Sequence, residues 1–205
     1  RSVLEGIDDI AFCDLSGKDV VRHSLVATIV AAYERAAGKA RKPMEVLITY
    51  GHREEDLASL PIRDLALFVL EREGKPINTE VSISFVDDTA MAELNERFRG
   101  MEGPTDVLSF ECDNIDDDIT AADGPSCPVY ELGDIIIAPD VAARQSTEFG
   151  NSFEQEVSLL IVHGLLHLCG YDHIVDEEAE VMEARERELL TAWAERDLPA
   201  VSENR

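Results

Sequence analysis

The sequence predicts an α+β domain in which about four strands form a mixed sheet with helices packed on it. Three observations lead to this prediction. Short segments with strand-like alternation recur along the chain, amphipathic segments of helical period lie between them, and one nearly apolar segment of helical length follows Ser152. Because two histidines interrupt that apolar segment, we expect a central buried helix with a His-x-x-x-His pattern.

Four short segments are predicted to be strands, and the first two show the period-two alternation of strands. In the second segment, Val81, Ile83 and Phe85 occupy one face, with serines between them. An acidic insert containing glycine and proline separates the third segment from the fourth. The predicted strands are residues 45–50, 80–86, 107–110 and 132–138.

Helices are predicted between and after these strands. Pro61 lies early in the first, where its missing N–H costs little, and an aspartate caps the second. Ser152 and Gln155 form a capping box at the start of the apolar helix, which should end near Gly170. The other predicted helices are residues 61–73, 88–98, 140–149 and about 177–194. The last is amphipathic, with an inward face of Met182, Leu189, Leu190 and Trp193.

Length and composition exclude several classes of protein. The 205 residues suffice for one compact domain with additional material, and 45% hydrophobic residues indicate a globular chain. No apolar stretch reaches the roughly 18 residues of a membrane span, and no signal segment is recognisable. The four cysteines form no Cys-x-x-Cys pair, so we expect free thiols in a reducing compartment. We predict a cytoplasmic protein without membrane contact.

The formal net charge is −25, from 43 acidic and 18 basic side chains. This balance argues against a protein that holds nucleic acid by broad electrostatic attraction, since phosphate binding favours lysine and arginine. The acidic residues concentrate in residues 111–123 and 176–188. We interpret both stretches as solvated surfaces.

Three histidines, His163, His167 and His173, follow one another at intervals of four and six residues. Residues four apart share one face of a helix, and Gly170 can end that helix in a left-handed conformation, so His173 can return as a third ligand. Three protein ligands with one open position are typical of catalytic zinc sites, where the metal lowers the pKa of bound water to about 7. The sequence therefore predicts a metal centre.

The alternative is three unrelated histidines, two of them buried and hydrogen-bonded. Three of the five histidines fall within residues 163–173, on an otherwise apolar helix. Burying two imidazoles there without partners would cost several kcal/mol. We therefore favour the metal site, and we assign no function to His23 and His52.

The spacing also matches the H-E-x-x-H-x-x-G-x-x-H pattern of metzincin proteases, with one difference. Gly164 stands where those enzymes have their catalytic glutamate. Without that general base, peptide hydrolysis is a less favoured function for the predicted metal.

Four motifs occur in order along most of residues 44–194: L-N-x-x-F-R-G from Leu94, P-T-D-V-L-S-F from Pro104, L-G-D-I from Leu132 and H-G-L-L-H-L-C-G-Y-D-H from His163. Together they resemble the YbeY family of bacterial endoribonucleases. The resemblance implies a single-strand-specific endoribonuclease with one Zn²⁺ ion. It further implies a role in maturation of the 3′ end of 16S ribosomal RNA and in ribosome quality control, with ribosomal RNA and the small ribosomal subunit as partners.

The resemblance also implies that Arg99 is a functional residue. A guanidinium can hold a phosphate in a bidentate manner and stabilise charge that develops during cleavage. The alternative is a helix-end arginine that pairs with a C-terminal carbonyl or a nearby carboxylate.

Other residues near the motifs have two interpretations each. Asp172 could orient a histidine or bond the backbone within a turn. Cys169 is expected to be a buried thiol that faces away from the two helical histidines. Cleft-lining and strand-end structural roles are equally compatible with Thr105, Asp106, Ser109 and Asp134.

Residues 1–43 differ from the rest, so we divide the chain into segments 1–43 and 44–205. Apolar residues from Val20 to Val30 recur at helical spacing, and residues 38–43 form a polar linker. In residues 4–7 (L-E-G-I), 19–23 (D-V-V-R-H) and 31–34 (A-A-Y-E), this segment resembles the C-terminal end of PhoH-like P-loop ATPases, although no G-x-x-x-x-G-K-[ST] loop occurs here. We hypothesise that the chain derives from a PhoH–YbeY fusion, or that a PhoH-like ATPase is its partner.

Two rival functions remain at this stage. The first is a ribosome assembly factor whose metal is structural, and the second is a divergent metallopeptidase. The dependence of RNA affinity on salt concentration helps to separate these functions, because a nuclease with few phosphate contacts should show a shallow slope.

Overall fold

The computed structural model describes residues 43–112 and 129–196. The elements lie within two residues of their predicted ends, and the one unpredicted element is the four-residue helix α1. The strands are β1 (Glu45–Tyr50), β2 (Thr79–Phe85), β3 (Val107–Glu111) and β4 (Tyr130–Ile137). The helices are α1 (Glu54–Leu57), α2 (Ile62–Arg72), α3 (Asp88–Arg99), α4 (Pro139–Phe149), α5 (Phe153–Leu168) and α6 (Asp176–Arg196).

The four strands form one mixed sheet in the order β1-β2-β4-β3. β2 pairs in parallel with β1 and β4, whereas β3 pairs antiparallel with β4 and forms an edge. Along β2 the side chains of Val81, Ile83 and Phe85 are buried and alternate with partly exposed serines, as predicted. The α+β class with a mixed sheet is confirmed.

Helix α5 runs through the middle of the domain and packs against α2, α4, α6, β3 and β4. The predicted capping box is present: Gln155 N donates to Ser152 Oγ at 3.1 Å, and Ser152 N donates to Gln155 Oε1 at 2.8 Å. These bonds satisfy backbone donors that helix geometry leaves unpaired. The seven apolar side chains that predicted a central helix are buried: Val157, Leu160, Ile161, Val162, Leu165, Leu166 and Leu168.

Helix α6 covers α5 with the face predicted from its sequence. Met182 and Leu189 are buried, and Leu190 and Trp193 pack against the same core. The Trp193 ring lies 5.4 Å from that of Phe68 on α2. The far end of α6 is therefore anchored by an aromatic pair.

Several predictions concern parts of the chain outside the described residues. They are the helix from Val20 to Val30, the linker up to residue 42, His23, Cys13, Cys127 and the acidic residues 113–123. The division into segments 1–43 and 44–205 consequently stays a prediction. Cys112 and Cys169 are free thiols, as expected. In the two described stretches, every helix is too short or too polar to cross a membrane.

Candidate metal centre

The three predicted histidines lie together at the end of α5. His163 and His167 occupy its last two turns, with their Nε2 atoms 3.1 Å apart. Gly170, with φ of 95°, turns the chain, and Tyr171 N donates to Leu166 O at 3.0 Å. The turn returns His173, so that one ring nitrogen from each histidine lies within 4.8 Å of the others. The sequence-based prediction of this proximity agrees with the structure.

The hydrogen bonds made by the Nδ1 atoms of His163 and His167 determine which nitrogen of each neutral ring carries the hydrogen. Nδ1–H of His163 donates to Glu186 Oε1 at 2.6 Å, and Nδ1–H of His167 donates to the Tyr171 carbonyl at 3.1 Å. Carboxylate and carbonyl oxygens only accept, so both Nδ1 atoms must bear hydrogen. In the neutral rings, both Nε2 atoms then present lone pairs to each other.

This donor set fits a metal ion. Two nitrogens each about 2.0–2.1 Å from one tetrahedral zinc lie roughly 3.3–3.4 Å apart, close to the observed separation of the His163 and His167 Nε2 atoms. Burial lowers the pKa of His167, and charge on His163 and His173 lowers it further. The neutral imidazole, which is the form that ligates metals, is thereby favoured.

Glu186 of α6 is a site residue that the sequence analysis missed. Its side chain is 12% exposed and contacts the His163 ring, so the interpretation of residues 176–188 as a solvated surface is wrong at this position. The interpretation holds for its neighbours Glu183 and Glu188, which are exposed. A signal was present, because residue 186 lies four after Met182 and three before Leu189, on the inward face of the helix.

A second network reaches His167 from the same helix. Tyr171, whose carbonyl accepts from His167, donates its hydroxyl to Glu73 Oε2 at 3.2 Å. Arg185 Nε donates to Glu73 Oε1 at 2.8 Å, and the Glu73 side chain is only 8% exposed. These contacts tie the turn after α5 to α2 and α6.

The histidines open into a cleft of about 1080 Å³ between α3, β3, α4 and α5. Arg99, at the end of α3, lines this cleft, and its side chain is exposed. Among the described residues, Arg99 has no carboxylate or carbonyl partner, contrary to the alternative of a helix-end pair. Its guanidinium is therefore free to meet a ligand in the cleft.

The remaining lining residues are mainly apolar or acidic. Phe98 and Phe110 form an edge-to-face pair with ring centroids 4.8 Å apart, and Phe149 is exposed on the α4 side. Among the described lining residues, Arg99 is the one arginine or lysine. The carboxylates that line the cleft are Asp106, Glu111, Glu156, Asp172 and Glu186.

The neighbouring residues have structural contacts. Asp172 Oδ1 accepts from His173 N at 2.7 Å, which is the turn interpretation. Asp106 lines the cleft and accepts from Thr105, Val107 N and Gln145. Cys169, predicted to be a buried thiol, is only partly buried, and this burial raises the pKa of its thiol to about 11. Outside the cleft, His52 pairs with Asp140 at 2.7 Å.

Gly164 faces the sheet and not the cleft. A Cβ atom at this position would lie 2.8 Å from Ile135 Cγ2 and 3.2 Å from Ser109 Oγ. A side chain at this position would therefore require Ile135 or helix α5 to shift. This packing disfavours the metzincin arrangement, in which a glutamate follows the first histidine.

Residues 48–194 match the family model described as Endoribonuclease YbeY. The chain belongs to the endoribonuclease YbeY family. This membership confirms the resemblance that the four motifs indicated and the enzyme class that it implied. The family match covers strands β2 to β4, the described lining of the cleft and all three histidines.

Individual proteins named Endoribonuclease YbeY are also similar in sequence to this chain. The protein named Endoribonuclease YbeY of Frankia casuarinae is 39% identical over 73% of this chain and 75% of its own length. That of Thermoanaerobacter sp. is 39% identical over 72% of this chain and 96% of its own, and that of Geobacillus thermodenitrificans is 48% identical over 59% and 77%. A solution structure from Thermotoga maritima covers 78% of this chain and 100% of its own, at 26% identity and a TM-score of 0.48.

Proposed function

We propose that this YbeY-family chain is a zinc-dependent endoribonuclease that cleaves single-stranded RNA, with the metal held by His163, His167 and His173. The observation that supports it best is the pair of Nε2 lone pairs facing each other at 3.1 Å in the cleft that also contains a free guanidinium. A bound Zn²⁺ would supply Lewis acidity at the phosphodiester and a nucleophile at neutral pH.

Arg99 is proposed to bind the scissile phosphate. Its guanidinium offers paired donors that match two phosphate oxygens, and stabilisation is greatest as negative charge develops. Because Arg99 contacts none of the histidines, its removal should impair cleavage and leave metal binding intact.

The apolar wall of the cleft suits unpaired bases. Phe98 adjoins Arg99 in the chain and is held edge-to-face by Phe110, while Phe149 presents a further exposed ring. Bases stack on such rings at about 1–3 kcal/mol each, without any requirement for cationic side chains. Bases within a duplex are already stacked and paired, so this wall favours single strands. Stacking also explains how so acidic a protein can bind RNA.

The test is cleavage of a defined single-stranded RNA by the purified, zinc-loaded protein. Wild type should cut, and Arg99→Ala should be slower by about 100-fold or more, with unchanged zinc content. His167→Ala should lose both zinc and activity, whereas His52→Ala, a matched histidine control outside the cleft, should keep both. Equal cleavage by wild type and folded His167→Ala would refute the proposal.

The charge distribution favours one alternative function, a ribosome assembly factor with a structural metal. The net charge of −25 limits phosphate contacts, and the described residues of the cleft include one arginine and no lysine. On this alternative, folded protein binds RNA but no variant changes the background rate of cleavage, and removing zinc lowers the unfolding temperature only.

The biological substrate that we propose is precursor 16S ribosomal RNA at its 3′ end, with a role in ribosome quality control on the small subunit. Family membership supports this proposal. Depleting the protein in its host should lead to accumulation of unprocessed 3′ ends, and the Arg99→Ala variant should not restore processing.

For residues 1–43 we propose a separate segment derived from, or a partner of, a PhoH-like ATPase. The sequence resemblance supports it. Mass spectrometry of the native protein from cells tests it: a species that includes a complete P-loop ATPase would support fusion, and a product no longer than this chain would refute an intact fusion.

A further inference from the structure

Helix α6 brings a carboxylate to a histidine of the candidate metal centre from outside the His-rich motif. Glu186 Oε1 lies 2.6 Å from His163 Nδ1, and the Glu186 side chain is 12% exposed. The two residues are 23 positions apart and belong to different helices. The contact therefore depends on how α6 packs on α5.

We propose that Glu186 is a positioning residue for the metal centre: its carboxylate holds His163 with hydrogen on Nδ1, so that Nε2 is aimed at the ion. This inference rests on the proposed metal at the three histidines. A carboxylate that accepts from the distal nitrogen of a ligating histidine fixes the ring orientation and increases the basicity of the ligating nitrogen.

Several contacts of neighbouring residues on α6 fix the position of Glu186. Met182 and Leu189 on the same face of α6 are buried, and the adjacent Arg185 is bonded to Glu73. Because these contacts set the rotation of α6, the packing of the helix directs Glu186 toward His163 without any contribution from a bound ion. The histidine is thus oriented before the ion arrives, and less ordering is needed on binding.

A competing explanation is an ion pair between Glu186 and a protonated His163 that only stabilises the fold. The two explanations differ in their consequences. An ion pair that serves only the fold would contribute to folding stability and not to metal affinity. A positioning carboxylate contributes to metal affinity and to the preference of the neutral His163 ring for hydrogen on Nδ1.

The first measurement is Zn²⁺ affinity by chelator competition for wild type, Glu186→Gln and Glu186→Ala. Glu186→Gln should bind zinc about 10–100-fold more weakly, because the neutral amide cannot increase the basicity of His163. Glu183→Gln is the matched control: it removes an acid one turn away on the same helix, whose side chain is 66% exposed. That variant should bind zinc as wild type does.

The second measurement is the tautomer of His163 in the metal-free protein, by ¹H–¹⁵N correlation of the imidazole. Wild type should show hydrogen on Nδ1, and Glu186→Ala should shift His163 toward hydrogen on Nε2. Unchanged zinc affinity and tautomer, with only a lower unfolding temperature, would overturn the proposal in favour of the ion pair. RNA cleavage is not used, so a protein that binds zinc through this contact but cuts no RNA would refute the proposed function alone.

Discussion

At the residue scale, each nitrogen of the two helical histidines has one role. The Nδ1 atoms of His163 and His167 bond to Glu186 and to the Tyr171 carbonyl, which leaves the Nε2 atoms for a ligand. His173 is more exposed and has a ring nitrogen within 4.8 Å of theirs. The rings of His163 and His167 are thus oriented by the protein, and His173, the third proposed ligand, is the more exposed of the three.

Asp106 shows how a cleft residue can serve the fold. Burial alone would raise its pKa, but hydrogen bonds from Gln145, the Val107 amide and Thr105 together lower it. A carboxyl group whose pKa is lower in the folded protein stabilises the fold above its unfolded pKa. That stabilisation is lost as pH falls through the folded pKa.

We predict that Asp106→Ala lowers the free energy of unfolding at pH 7 by about 1.5–3 kcal/mol, since it leaves buried donors unpaired. The difference from wild type should shrink as pH falls below about 4, the unfolded value for aspartate. Urea denaturation at several pH values measures it. Asp64→Ala, at an exposed position on α2, is the control. A difference that grows toward acid pH would contradict the prediction.

At the element scale, the close approach of α5 to β4 depends on a glycine. Gly164 lies in the middle of a helix, where alanine is ordinarily preferred by about 1 kcal/mol. Here the space for a side chain is occupied by Ile135 and Ser109. The requirement for close packing therefore exceeds the helical preference.

We predict that Gly164→Ala destabilises the protein by about 1–3 kcal/mol, because the new methyl group displaces Ile135 or shifts the helix. Thermal or urea unfolding of the metal-free protein measures it. Ser158→Ala on the same helix should be neutral or slightly stabilising. If Gly164→Ala instead stabilises the protein, the approach of α5 to β4 is looser than the structure shows.

The same packing bears on Gly164→Glu, which restores the H-E-x-x-H pattern. The glutamate would enter the sheet interface, so we expect a severely destabilised protein without peptidase activity. The packing of the helix that carries His163 and His167 thereby disfavours peptidase chemistry at the proposed metal centre.

At the scale of the whole molecule, the net charge of −25 and the presence of one arginine and no lysine among the described cleft residues predict a weak salt dependence for the proposed RNA binding. For single strands, the slope of log affinity against log salt is about −0.7 for each phosphate contact. A protein with one such contact should lose only about threefold in affinity between 50 and 200 mM salt.

Fluorescence anisotropy with a short single-stranded RNA and metal-free protein tests this prediction. Arg99→Ala should flatten the salt slope, whereas Phe98→Ala should weaken binding at every salt concentration and leave the slope unchanged. A loss of tenfold or more for wild type would show that cations beyond Arg99 contact the RNA.

Much of this protein was determined by local sequence. Local sequence patterns predicted each strand and each helix of the described residues except the four-residue α1, which is too short to show a period. The intervals from His163 to His167 and His173, with a glycine between, placed three ring nitrogens together, since helix geometry relates residues four apart. Four motifs indicated the family that the comparison with known proteins confirmed.

The tertiary structure alone decided the strand order, the walls of the cleft and the partner of His163. The sequence pattern placed Glu186 on the inward face of α6 and Gly164 on the apolar helix α5. Neither pattern shows which other element the buried face packs against. Periodicity is a property of one element, whereas the contacts from Glu186 to His163 and from Arg185 to Glu73 join elements 23 and 112 residues apart. Such contacts arise from the packing of helices against each other and the sheet, because burial of apolar faces is non-directional and only close packing selects one arrangement.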